Sequence, residues 1–141
     1  MKNLEAVLFD LISFELGERV ARHVPLAVDR ECLWKMAIQQ GVSSICLDGL
    51  HRLEERKDGL AAIPMPLKMR WIASVMKQEQ AYHGQWKAAK GLAELFGKHG
   101  IDTYVMKGFS LSRLYPIPEH RPCTDMDCYL KGEYEEGNRV A

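Results

Sequence analysis

Residues 107–130 read KGFSLSRLYPIPEHRPCTDMDCYL, and this stretch carries most of the fold prediction. Its last part, DMDCYL, alternates polar and apolar residues, which is typical of a short β-strand with one buried face. In a strand, Asp125, Asp127 and Tyr129 share one face, because alternate side chains point the same way. Aspartate is a poor strand former and is rarely buried without a partner, so the pair needs a stabilising contact.

A bound cation is one such contact for the two aspartates. Two carboxylates on one strand face repel each other unless a positive charge lies between them. Their hard oxygen ligands suit Mg²⁺ or Mn²⁺, so Asp125 and Asp127 are candidate metal ligands. The motif alone is weak evidence, because a chain with seven aspartates contains a chance D-x-D in roughly one case in three. Its neighbours in the sequence therefore decide its weight.

A second candidate strand, residues 101–108 (IDTYVMKG), ends in a K-G turn. A short helix over residues 109–116 is predicted to follow. Glycine allows a close backbone approach at Gly108, and the amides of a helix start attract phosphate. Ser110 can donate its hydroxyl there, and Lys107 can neutralise phosphate charge. Taken alone, a K-G pair is more typical of an ordinary strand-to-helix turn.

Strand, K-G turn, short helix, arginine-containing loop and D-x-D strand follow one another as in a Mg²⁺-nucleotide site of the polymerase-β type. Residues 107–130 resemble the signature of the uncharacterised bacterial nucleotidyltransferase family, approximately K-G-x-x-L-x-x-x-Y-P-x-P-x-x-R-x-x-x-D-I-D. The positions that fill this pattern are Lys107, Gly108, Leu111, Tyr115, Pro116, Pro118, Arg121, Asp125 and Asp127. Met126 stands in place of the usual isoleucine, and residues upstream of 107 resemble the family only loosely.

This resemblance implies an α+β chain with a helical N-terminal region and the first strands of a polymerase-β-type nucleotidyltransferase core. It implies transfer of a nucleoside monophosphate from an NTP to an acceptor, with Asp125 and Asp127 holding Mg²⁺ or Mn²⁺. Gly108 and Ser110 would approach the triphosphate, helped by Lys107. Arg121 would either reach a phosphate or anchor its loop on a carboxylate.

The superfamily usually supplies a third metal-binding carboxylate from a later strand. Glu133, Glu135 and Glu136 follow the D-x-D motif, but they fall at a predicted helix start, where acidic residues are ordinary surface. We expect the 141 residues to be an N-terminal portion, because two strands make only a marginal sheet. The activity of this portion, its acceptor and its base preference are not fixed by the sequence.

The chain is predicted to divide into a helical region, residues 1–100, and the start of the nucleotidyltransferase core, residues 101–141. A long apolar periodicity beginning at Pro66 predicts one long helix that ends at Gly97 or Gly100. Its apolar stripe offers a surface for a second copy or a partner. A helical interaction module without catalytic activity, including a homo-oligomer through this helix, is therefore the alternative function.

Shorter helices are predicted before the long one. Asn3 is placed to cap the first, and Asp29 to cap a second over residues 30–40. A third is predicted to open at Ser43 or Ser44 and to extend to Lys57.

A glycosyltransferase, which also uses D-x-D, is a third and weaker functional hypothesis. Such enzymes need a strand-rich segment before the motif, whereas the residues before it here are predicted to be mostly helical.

Charge and hydropathy argue against several classes of partner. Lys+Arg and Asp+Glu are both 19, and no basic stripe indicates nucleic-acid binding. No apolar run is long enough to cross a membrane, and the acidic N-terminal residues are unlike a signal peptide. The expected location is the cytoplasm.

Four cysteines are expected to be reduced thiols in the core. Cys123 and Cys128 flank both aspartates of the motif and leave one alternative open, a zinc site. Such a site needs two further ligands, and His120 is the nearest candidate.

Overall fold

The computed structural model of the chain describes residues 4–17, 28–55, 62–132 and 134–140. Its helices and strands are α1 (Leu4–Glu15), α2 (Arg30–Gln39), α3 (Ser43–Glu55), α4 (Met65–Gly97), β1 (Asp102–Val105), α5 (Lys107–Ser110), β2 (Cys128–Lys131) and α6 (Tyr134–Val140). Two 3₁₀ turns, Leu111–Leu114 and Pro118–His120, lie between α5 and β2. Helices dominate and the two strands pair with each other, so the predicted α+β class is confirmed.

The chain forms two compact units, Met1–Gln78 and Glu79–Ala141. Helix α4 contributes its first part to one unit and its second part to the other. The second part contacts the loop that leads to β2, and these contacts place it in the second unit. The predicted domain boundary follows residue 100, whereas the two compact units meet after Gln78. The predicted boundary stays a prediction.

The first unit packs its helices around one apolar core. Each helix carries apolar residues three and four positions apart, so each buries one face. The core includes Val7, Leu8, Leu11, Phe14, Leu33, Ala37, Cys46, Leu47, Leu50, Leu53, Leu67, Trp71 and Val75. The indole of the fully buried Trp71 donates a hydrogen bond to the carbonyl oxygen of Ser43 at 2.9 Å. This bond satisfies the polar atom of a large core side chain.

Asp29 caps α2 as predicted. Its Oδ1 accepts hydrogen bonds from the backbone N–H groups of Glu31 at 2.8 Å and Cys32 at 3.1 Å. These are two of the amides that a helix start leaves without a partner in the helix. Helix α3 begins at Ser43, one of the two predicted starts. The predicted cap Asn3 and the predicted helix end Lys57 lie outside the described residues.

Arg52 of α3 caps the C-terminal end of α1. Its Nη1 donates to the backbone carbonyl oxygens of Phe14 at 3.1 Å and Glu15 at 3.3 Å. The same nitrogen lies 3.2 Å from Glu15 Oε2. A cation at this position is favourable because the last carbonyls of a helix carry partial negative charge.

Helix α4 confirms the predicted long helix, which runs through 33 residues from Met65 to Gly97. It passes Gly84 without interruption. In the part of the chain that the structure describes, no helix is both long enough and apolar enough to cross a membrane.

In the second unit, β1 and β2 pair antiparallel, with Tyr104 opposite Tyr129 and Val105 opposite Cys128. The second part of α4 contributes aromatic contacts. The ring of buried Phe109 stacks on Tyr82 with centroids 4.8 Å apart, and on Trp86 at 5.7 Å. These stacked rings fix the segment that follows the K-G turn against the helix.

The predicted strand boundaries are wrong at the D-x-D motif. Strand β2 begins at Cys128, so Asp125 and Asp127 precede it, and β1 ends at Val105, before the K-G turn. The last ladder bond runs from the N–H of Met106 to the carbonyl oxygen of Asp127 at 2.7 Å. Beyond it the chain turns away at Lys107, which leaves residue 125 no strand to pair with.

We predict that Gly49→Ala destabilises the protein. A Cβ on Gly49 of α3 would lie 2.9 Å from the carbonyl oxygen of Leu11 in α1, and backbone atoms in a packed core do not yield cheaply. We expect the free energy of unfolding to fall by about 1–3 kcal/mol in urea denaturation.

Gly84→Ala is the matched control, because a Cβ there meets nothing within 4 Å. It should raise the free energy of unfolding by about 0.5–1 kcal/mol through helix propensity. Equal stabilisation of both variants would contradict the close approach of α3 to α1.

Candidate functional site

Gly108 brings the K-G turn against the D-x-D motif. Its backbone has φ 30° and ψ −95°, a conformation that residues with a side chain rarely adopt. A Cβ at this position would lie 2.9 Å from the carbonyl oxygen of Asp125 and 3.3 Å from Cys123 Sγ. Only a glycine fits this contact without a shift of the neighbouring backbone.

Lys107 and Asp127 form an ion pair beside this contact. Lys107 Nζ lies 3.3 Å from Asp127 Oδ2, and the two side chains are 73% and 53% exposed. The bond between Met106 N–H and the Asp127 carbonyl holds the two backbones together at this point. The structure thus joins the K-G turn and the D-x-D motif through both backbone and side chains.

The alternation around the motif agrees with the predicted face. Asp125, Asp127 and Tyr129 are exposed, and the residues between them are half-buried. Both carboxylates lie at the surface. Water and Lys107 therefore reduce the cost of the paired negative charges.

Ser110 and Arg121 support the turn through its backbone. Ser110 Oγ donates a hydrogen bond to the carbonyl oxygen of Lys107 at 2.9 Å. Arg121 Nη1 donates to the carbonyl oxygen of Gly108, and its guanidinium lies 5.9 Å from the centre of the Tyr115 ring. Of the two predicted roles of Arg121, these contacts resemble the anchoring of a loop, with a carbonyl in place of a carboxylate.

All six predicted site residues are therefore brought together. Lys107 contacts Asp127 and Ser110, and Gly108 contacts Asp125 and Arg121. Their roles in binding a nucleotide stay predictions. What the contacts supply is a small polar surface with two exposed carboxylates and one exposed ammonium group.

Helix α4 holds the loop before the motif, which the sequence analysis missed. Gln85 Nε2 donates a hydrogen bond to the carbonyl oxygen of Cys123 at 2.7 Å. Cys123 Sγ in turn donates to the carbonyl oxygen of Asp125 at 2.9 Å. One polar residue on a long helix carries no local signal of such a role, because its partner is 38 residues away.

A second contact holds the same loop to α4. Nε2 of the buried His120 lies 3.0 Å from Oε1 of Glu79. Pairing in this way satisfies a polar ring that is largely removed from water. The loop is therefore attached to the helix on both sides of Arg121.

The cysteines only partly follow the expectation of core thiols. Cys46 is buried, and burial raises its pKa to about 12. Cys32 is exposed, so the expectation is wrong there. Partial burial, and then the negative charge of Asp127, raises the pKa of the Cys128 thiol.

The zinc alternative has no ligand set in residues 4–17, 28–55, 62–132 and 134–140. Within these ranges, no three His, Cys, Asp or Glu side chains come together in a way that could hold a metal ion. Cys123 and His120, two of the ligands considered for zinc, contact Asp125 and Glu79 instead. The same finding leaves Asp125 and Asp127 as a pair of carboxylates without a third in the described residues.

A scan against models of protein families matches residues 27–136 to a family described as uncharacterised nucleotidyltransferase. This chain belongs to the uncharacterised nucleotidyltransferase family. The match covers most of the chain and includes the K-G turn and the D-x-D motif, so it extends well upstream of the close resemblance. No curated protein and no solved structure matches the chain.

Membership in this nucleotidyltransferase family favours nucleotidyl transfer over sugar transfer, the third hypothesis from the sequence. Bacterial origin and the polymerase-β-like superfamily stay predictions. The matched range begins upstream of α2, so the family's pattern includes helices as well as the site.

We predict that Gly108→Ala costs more stability than Gly100→Ala. Both glycines have positive φ, 30° and 72°, but a Cβ on Gly100 meets nothing within 4 Å. Gly100→Ala should therefore lose only the conformational cost of about 1–2 kcal/mol. Gly108→Ala should lose about 1–3 kcal/mol more, because its Cβ meets the Asp125 carbonyl.

Urea denaturation of the two variants gives the comparison. Amide NMR shifts at residues 125–127 should change in Gly108→Ala and stay the same in Gly100→Ala. Equal stabilities with unchanged shifts would contradict the close contact between the turn and the motif.

Proposed function

We propose that this member of the family binds Mg²⁺ and a nucleoside triphosphate at the K-G turn and the D-x-D motif. It then transfers the nucleoside monophosphate to an acceptor. One observation carries the proposal: Gly108 lies against Asp125 while Lys107 lies 3.3 Å from Asp127. A turn with a glycine and a lysine, placed beside two exposed carboxylates, supplies the groups that a metal-nucleotide site requires.

The residues present fit a magnesium ion. Asp125 and Asp127 are exposed hard-oxygen ligands on one side of the chain. Mg²⁺ usually keeps several waters and is held by one or two carboxylates together with substrate phosphates, so a pair is sufficient. When bound, the ion would neutralise charge on the phosphates and on the oxygens that attack and leave. Mn²⁺ suits the same ligands.

The chain's own residues orient the substrate. Lys107 carries an exposed positive charge that can approach the triphosphate, and Gly108, which is half-buried and has no side chain, allows a phosphate to come close to its backbone. Ser110 and Arg121 hold that backbone in place through the carbonyls of Lys107 and Gly108. The turn is therefore fixed before the substrate arrives, which lowers the cost of ordering it.

The proposed reaction conserves its groups. An acceptor oxygen attacks the α-phosphorus, and a new phosphorus–oxygen bond forms. The bond from the α-phosphorus to the bridging oxygen of the β-phosphate breaks, and pyrophosphate leaves. The proton of an acceptor hydroxyl passes to solvent or to a base.

The alternative function, a helical interaction module, has one observation in its favour. Met65, Met69 and Met76 are exposed on the first part of α4, where methionine gives an adaptable apolar surface. A homo-oligomer through this helix would bury them. A strict monomer in light scattering at high concentration would count against this self-association.

We predict that Asp125→Asn and Asp127→Asn each weaken Mg²⁺-dependent NTP binding while the protein stays folded. Loss of a contact to a charged group costs about 1.5–3 kcal/mol, which is roughly 10- to 150-fold in affinity. Calorimetric titration of each of the four NTPs, with and without Mg²⁺, measures the effect.

Asp102→Asn is the matched control, because Asp102 is an exposed aspartate at the far end of β1. It should bind NTPs as the wild type does. NTP binding that does not depend on Mg²⁺, or an equal loss in Asp102→Asn, would contradict the proposed site.

A further inference from the structure

At the contact between Lys107 and Asp127, hydrogen bonds hold the backbone, whereas the lysine side chain is mostly exposed. The Met106 N–H holds the carbonyl of Asp127 at 2.7 Å, and Ser110 Oγ holds the carbonyl of Lys107 at 2.9 Å. The ammonium group itself is joined to the carboxylate only by the ion pair at 3.3 Å, with most of the lysine side chain in water. The pair can therefore open without any change in the surrounding backbone.

An ammonium group and a divalent cation cannot share this carboxylate cheaply. Both are positive, and a single and a double positive charge about 4 Å apart repel each other by about 2 kcal/mol in water. Lysine carries its charge on a flexible four-carbon stem, so it can move several ångströms while its backbone stays in place. An exposed ion pair is weak, so a divalent ion can displace it.

The charges of the site show where the lysine would go. The charges of the two carboxylates, Lys107 and Arg121 cancel, and a divalent ion then makes the site positive. A triphosphate brings enough negative charge to hold both cations. Arg121, the other nearby cation, already donates to the carbonyl of Gly108, which leaves Lys107 as the mobile charge of the cluster.

We propose that the Lys107 ammonium group pairs with the Asp127 carboxylate when no ligand is bound. It moves to the triphosphate when the metal and the nucleotide bind together. The inference rests on the proposed function and adds a regulation of the same site. The lysine weakens binding of a free metal ion and strengthens binding of the metal with a triphosphate. The site therefore responds to the complex of the two rather than to the metal alone.

The test compares Lys107→Met with the wild type, using two probes on the whole chain. The first is Mn²⁺ alone, followed by the electron paramagnetic resonance signal of the free ion. The second is inorganic tripolyphosphate with Mg²⁺, followed by calorimetry, which removes any contribution from the base. Lys107→Gln repeats both titrations without adding an apolar side chain.

The expected effects have opposite signs. Without the lysine, Mn²⁺ alone should bind about two- to fivefold more tightly, because an exposed ion pair no longer competes. Mg²⁺-tripolyphosphate should bind roughly tenfold or more weakly, because a charged phosphate contact is lost. Lys131→Met, which removes an exposed lysine from the far end of β2, should change neither affinity.

The two ways of failing are distinct. Unchanged or weaker Mn²⁺ binding in Lys107→Met, or unchanged tripolyphosphate binding, would overturn the exchange of the lysine even though the site binds metal and phosphate. If the wild type and the Asp125→Asn and Asp127→Asn variants bind both probes equally, the proposed function itself would be overturned.

Discussion

The site depends on one close approach, that of the Gly108 backbone to the carbonyl oxygen of Asp125. There is no room for a Cβ between them, and the turn uses a backbone conformation that glycine tolerates best. Because this contact fixes the distance between the turn and the motif, the ion pair of Lys107 with Asp127 and the bond from Arg121 to Gly108 follow from it. A larger residue would separate the two halves of the proposed site.

Helix α4 supports this contact from the other side. Gln85 holds the carbonyl of Cys123, whose thiol holds the carbonyl of Asp125, and Glu79 pairs with His120. These bonds attach an otherwise irregular loop to a rigid element, which is how binding loops are commonly positioned. The site is therefore built within the second compact unit, from residues that follow Gln78.

Local patterns in the sequence predicted much of this fold. The cap Asp29, the long helix α4 and the alternation around Asp127 depend on neighbouring residues, and the structure agrees with each. The start of β2 was predicted wrongly, since it depends on where the partner strand turns away. The role of Gln85 could not be predicted, because a contact across 38 residues leaves no periodic trace.

Paramagnetic broadening by Mn²⁺ tests the central claim most directly. With an NTP present, Mn²⁺ should broaden the amide signals of residues 107–110 and 125–128, since it would lie beside both segments. Asp125→Asn with Asp127→Asn should abolish the effect. Broadening centred on another part of the chain, or broadening that survives both substitutions, would contradict a metal-nucleotide site at the K-G turn and D-x-D motif.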